Sequence, residues 1–234
     1  MKKRSKILGI PLLLLLLALG TVYIIYNEPL PEGRTGTEAD ALAHKMLRSL
    51  NYETYRNTRF LEWSFRGGKH QYKWDKTNGI VEVQWDGYIV NVDLITPESS
   101  VASKDGIELE SYKRINATEK AIEMFNNDSF WLVAPYKVMD KGTERKIIPL
   151  SDGLEGLLVT YTSGGSTPGD SYLWILQPNG FPKSFKMWVA ILPIGGIEAT
   201  WDEWAIMESG AFLPKNHTLG PITLKMRDVR AYNR

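Results

Sequence analysis

The 234-residue chain contains no cysteine. That excludes disulfide bonds, thiolate metal sites and a lipid-modified cysteine following an export signal. Histidine is nearly as scarce: His44, His70 and His217 each stand apart from carboxylates at metal-ligand spacing. No HExxH pair, Cys/His cluster or calcium-loop pattern occurs, so the sequence points to no metal and no cofactor. Ser166, in a Gly-Gly-Ser-Thr-Pro-Gly loop, does not satisfy the G-x-S-x-G pattern of a nucleophile elbow. The same loop lacks the Lys-Ser/Thr ending of a phosphate-binding loop and precedes a strand rather than a helix. Asp202 and Glu203, between Trp201 and Trp204, could act as an acid pair in a hydrolase, although a solvated strand edge accounts for them more simply. With no set of nucleophile, base and orienting group, the sequence reads as a non-enzyme.

Strong charge imbalance is missing too. The formal net charge is +1, and Lys2, Lys3, Arg4 and Lys6 gather before the first apolar run, leaving the remainder slightly acidic. Such a body has no electrostatic footprint for nucleic acid. At 43% hydrophobic and 24% charged residues, the composition is that of a globular chain and not a disordered one.

What is present begins with residues 7–26, an uncharged run containing six consecutive leucines. About 20 apolar residues at about 1.5 Å each span a hydrocarbon core of about 30 Å. The basic flank should stay cytoplasmic and send the body outward, which places the protein in the inner membrane with its body in the periplasm. A cleaved signal peptide ending near Ala18-Leu19-Gly20 is the alternative, giving an exported protein. The expected organisation is therefore a basic tail (1–6), an anchor (7–26), a polar linker (27–36) and a single α+β domain (37–234).

Within that domain, Ala39, Leu42, Met46, Leu47 and Leu50 recur at helical spacing, and Thr37 is the expected N-cap of a helix over 37–56. From Arg59 the period becomes two. Leu61, Trp63 and Phe65, then His70, Tyr72 and Trp74, then Val81, Val83 and Trp85, then Tyr88, Val90 and Val92 alternate with polar residues across Gly-Gly, Asn-Gly and Asp-Gly turns. A second helix is expected over 117–126, followed by an apolar stretch at 130–136 without alternation. Residues 162–189 read as a Gly-rich loop and a hairpin whose turn holds Asn179-Gly180. The whole predicts an α+β fold: one large curved antiparallel sheet, a half-barrel, with two or three helices on one face and a transmembrane helix before it.

The chemistry that remains is aromatic. Alternation places Leu61, Trp63, Phe65, Tyr72, Trp74, Val83 and Trp85 on one side of neighbouring strands, with Trp131 and Trp174 added from later segments. A large curved sheet with few helices leaves part of such a face open as a groove for an apolar ligand, a membrane lipid or the acyl chain of a lipidated protein. A non-enzymatic structural or partner-binding module is the competing reading, and it requires a filled core with an apolar patch outside.

The order of elements resembles the bacterial periplasmic lipoprotein-carrier superfamily, the lipoprotein localisation factors and their relatives. The segment SYLWILQPNGFPKSFKMW is similar to that superfamily's strand, turn and strand, and the resemblance implies a half-open barrel with lid helices over a lipid cavity. The blocks FNNDSFWLVAPYKV and GGSTPGDSYLW also resemble membrane-anchored proteins of Bacteroidota-type bacteria. The chain departs from the soluble carriers by its apolar run and from the lipoprotein members by its lack of cysteine.

Overall fold

A computed structural model describes residues 23–151, 153–163 and 167–234, together with Leu14, Leu17, Gly20 and Thr21. Most of the expected anchor, and Ser166, therefore lie outside the described residues. The described part of the 7–26 run is helical and exposed, and among the described residues no helix is long and apolar enough to cross a membrane.

The first helix, α1 (Thr37–Ser49), buries Ala39, Ala43, Met46 and Leu47 and carries Glu38 and Asp40 in its first turn, where the helix dipole favours acids. Its N-cap is Gly36, with φ of 128°, and not the expected Thr37. The expected continuous helix is broken after Leu50: Asn51 adopts a left-handed conformation (φ 53°, ψ 52°), and a separate helix α2 follows (Tyr52–Asn57). Asn tolerates that conformation better than other non-glycine residues, so the break is local chemistry.

Strands β1 (Phe60–Phe65), β2 (His70–Asp75), β3 (Ile80–Trp85) and β4 (Tyr88–Asp93) form the expected meander. Their register aligns Trp63 with Tyr72 and Tyr72 with Val83, so the alternating aromatic set does share one face. Asp86 and Gly87 both take positive φ (43° and 78°), the two-residue turn that matches strand twist. β5 (Val101–Lys104) and β6 (Ile107–Glu108) extend the sheet, and β16 (Arg227–Tyr232) returns to its other edge beside β1.

The second sheet holds β7 (Thr143–Pro149), β8 (Glu155–Tyr161), β9 (Ser171–Leu176), β10 (Pro182–Trp188), β11 (Ile197–Thr200), β14 (Asn216–Leu219) and β15 (Ile222–Lys225). A small hairpin pairs β12 (Ala205–Ile206) with β13 (Phe212–Leu213). The single large sheet expected from the pattern is thus two seven-stranded antiparallel sheets, neither of them closed. The cause is helix α3 (Ser111–Val133), which interrupts the run of hairpins between β6 and β7. The two sheets meet where β15 passes into β16 through the buried Met226.

α3 has 23 residues, far more than the helix expected over 117–126. The non-alternating stretch from Phe130 is its C-terminal end, apolar because sheets lie close on more than one side. Phe125 packs on Trp63, Tyr72 and Trp74 of the first sheet, while Phe130 and Trp131 meet Phe185 of the second. α3 is the wedge of the core.

The expected linker is docked along the second sheet. Glu28 N donates to Gly195 O at 3.0 Å, Trp188 Nε1 donates to Glu28 O at 2.8 Å, and Lys186 Nζ lies 2.7 Å from the Glu28 carboxylate. Further on, Arg34 and Ile147 exchange two backbone hydrogen bonds of 3.1 and 2.8 Å.

Candidate functional site

α3 covers most of the aromatic face. Leu61, Trp63, Tyr72, Val83 and Trp174 are all 3% exposed or less. Trp63 stacks on Tyr72 with centroids 4.6 Å apart, and Trp74 meets Phe125 edge-on at 5.1 Å. Trp85 is half-buried and stacks on Tyr88 at 4.9 Å, while Trp174 belongs to the other sheet and stacks on Trp201 at 5.4 Å. These residues form the interior and do not line one open groove. Two of the candidates, Phe65 and Trp131, do reach a cleft.

That cleft lies at the seam between the sheets, has a volume of about 550 Å³ and is lined by Phe65, Arg66, Gly67, Asn127, Trp131, Thr223, Leu224, Lys225 and Arg227. Its apolar part comes from the end of β1 (Phe65), the last turns of α3 (Trp131) and β15 (Leu224). Beneath it, His217 pairs with Leu224 across β14 and β15, and its ring lies 5.2 Å from that of Trp131. His217 is fully buried and donates from Nδ1 to Thr200 O at 2.9 Å. Burial holds its pKa below the usual imidazole value, so the ring supports the cleft floor as a neutral group.

The backbone on both sides of the cleft departs from regular structure. After β1, Arg66, Gly67 and Gly68 all take positive φ (50°, 72° and 93°). For arginine that conformation is uncommon and carries steric strain. Across the sheet, Glu62 pairs with Arg230 but Ser64 pairs with Arg227, so β16 carries an extra residue opposite Trp63. Asp228 in this bulge has φ of 54°, and its Oδ2 accepts from Ser64 Oγ at 2.7 Å. Bulges of this kind re-aim neighbouring side chains.

Below Asn127 sits a polar cluster that the sequence did not reveal. Asp128 of α3 is 1% exposed; its Oδ2 accepts from Tyr72 Oη at 2.6 Å and lies 2.7 Å from His70 Nδ1. Asn127 Nδ2 donates to its Oδ1 at 2.8 Å. Burial, and then the Asp128 charge, push the Tyr72 phenol far above its ordinary value. Since 58 residues separate His70 from Asp128, no spacing rule could pair them. Both oxygens of this carboxylate accept hydrogen bonds, and the cluster ties α3 to β2.

The remaining sequence candidates do not converge. His44 Nδ1 lies 2.7 Å from the Asp40 carbonyl within α1, and Asp202 accepts from Thr200 and Thr218 hydroxyls. Glu203 is exposed beside it at a positive φ of 52°. Among the described residues, no group of three or more His, Asp or Glu side chains is placed to hold a metal ion.

No protein-family model matches this chain, and no curated protein matches it. Among solved structures, it is similar to a DUF1329 family protein from Desulfovibrio piger, with a TM-score of 0.41 and 8% identity over 82% of this chain and 92% of that one.

Proposed function

We propose that the protein is a membrane-held, extracytoplasmic binder of amphiphiles that takes the apolar chain of a lipid or lipidated protein into the seam cleft. The observation that carries this reading is the aromatic surface of Phe65 and Trp131, which with Leu224 faces a cleft of about 550 Å³ that α3 leaves uncovered. That volume falls in the range of small-ligand sites. Each buried methylene contributes about 0.8 kcal/mol, so eight would supply roughly 6 kcal/mol before ordering costs. The uncharged run at 7–26 supports a position beside the bilayer, where such chains are abundant. In this reading the protein binds and presents its ligand without catalysing a reaction.

A partner-binding module is the second reading, favoured by the interior that α3 fills and by exposed apolar side chains such as Ile107 and Ile206. Native mass spectrometry of the full chain, released from membranes into a fluorinated surfactant, separates the two. Co-purified lipid that Trp131→Asp abolishes and Ile107→Asp retains is the expected result. A chain that carries no lipid, and takes up no added fatty acid, leaves the partner-binding module as the function.

A further inference from the structure

We infer that the seam cleft selects amphiphiles with an anionic head, a phosphate or a carboxylate, held by Arg66, Lys225 and Arg227. This rests on the chain-binding reading above and adds what that reading leaves open, the chemistry of the head group.

All three cations line the cleft and all three are exposed at its rim. Among the described residues none of them takes part in an ion pair, whereas Arg34, Arg56, Arg59, Arg145 and Arg230 do. Among the described residues the two neighbouring carboxylates form no ion pair with these cations: Asp228 accepts from Ser64, while Asp128 accepts from Tyr72 and Asn127 and lies beside His70. Three cations lining one cleft repel one another, and an anion bound among them relieves that repulsion.

The backbone that positions them is irregular on both sides. Arg66 occupies a left-handed turn that costs a non-glycine residue conformational energy, and the adjacent Gly67 and Gly68 allow the chain to continue through it. Arg227 stands at the bulge that displaces β16 by one residue against β1. Lys225 reaches the same cleft from β15, separated from Arg227 by the buried Met226. Strands, a turn and a bulge from both sheets thus bring three cations, without an ion pair among the described residues, around an apolar floor. An anionic amphiphile matches both halves: its chain on Phe65, Trp131 and Leu224, its head between two guanidinium groups that can each bind oxygen pairs.

The test compares dodecyl phosphate, dodecyl maltoside and inorganic phosphate by equilibrium dialysis against the full chain in fluorinated surfactant, each amphiphile below its micelle concentration. Dodecyl phosphate is expected to bind at least tenfold more tightly than the maltoside, with the preference shrinking as salt rises. In the Arg66→Gln/Lys225→Gln/Arg227→Gln variant that preference should fall to within twofold while maltoside binding stays unchanged. Unchanged maltoside binding also shows that the variant is folded, and Arg66→Lys should keep most of the preference. Equal binding of the two amphiphiles by the unaltered chain overturns the head-group assignment and leaves chain binding standing. Inorganic phosphate binding as tightly as dodecyl phosphate upholds the cation site but overturns the chain reading. If none of the three binds, both are overturned.

Discussion

Lys76 places its ammonium 3.7 Å from the centroid of the Tyr55 ring and donates to the Tyr55 carbonyl at 2.5 Å. Burial, with Lys137 adding repulsion, lowers its pKa to about 8. In the unfolded chain the group returns to an ordinary lysine value, so between about pH 8 and 10 the unfolded state binds more protons than the folded one. The contribution of Lys76 to stability therefore rises with pH across that window. Thermal melts from pH 7 to about 9 should show this rise, before ionisation of the tyrosines exposed on unfolding reverses it, and Lys76→Met should flatten it; a slope unchanged by the substitution would assign it to another group. Asp128 shows the opposite strategy for a buried charge. Lys76 keeps its charge at neutral pH over an aromatic ring, whereas Asp128 is surrounded by the hydrogen-bonding groups of His70, Tyr72 and Asn127.

At the scale of elements, α3 decides how the two sheets share a core. Phe125 is a central apolar contact between the helix and the first sheet, with ring centroids 6.1 Å from Trp63, 6.5 Å from Tyr72 and 5.1 Å from Trp74. Truncating a buried phenylalanine costs about 3–5 kcal/mol, because the rings around it cannot close the cavity. Phe125→Ala should lower the urea midpoint accordingly, while Tyr112→Ala, at a position 67% exposed on the same helix, should change stability by less than about 0.5 kcal/mol. Comparable losses in the two variants would mean that the helix is not anchored through its apolar face. The sequence signalled this helix only in part. Its middle shows helical spacing, but its end at 130–133 is apolar at every position, and such a short apolar run cannot be told from a buried strand by periodicity.

Across the whole molecule, residues 27–34 strap the end of the apolar run to the second sheet. The strap needs Gly195: a Cβ there would lie 2.4 Å from the Trp188 ring and 2.9 Å from Glu28 O. Gly195→Ala should therefore release the strap without unfolding the body. Limited proteolysis should then cut within 27–36 at least several times faster than in the unaltered chain, with the melting temperature of the body little changed. Cleavage at an unchanged rate would show that the contact does not restrain the segment.

The amino-acid sequence by itself determined the meander from β1 to β4, the shared face of Leu61, Trp63, Tyr72, Trp74 and Val83, and the hairpin of β9 and β10. These follow from alternation and turn chemistry, which act over a few residues and need no knowledge of the rest of the chain. Only the tertiary structure decided that this face lies under α3 and that the sheet is two sheets. It also decided that Phe65 and Trp131 meet Leu224, Arg66, Lys225 and Arg227 at their seam. Those residues lie up to about 160 positions apart, on elements whose own patterns are complete without one another. A period of two states which side of a strand is apolar; which element covers that side, and where the cover stops, depends on packing among distant segments.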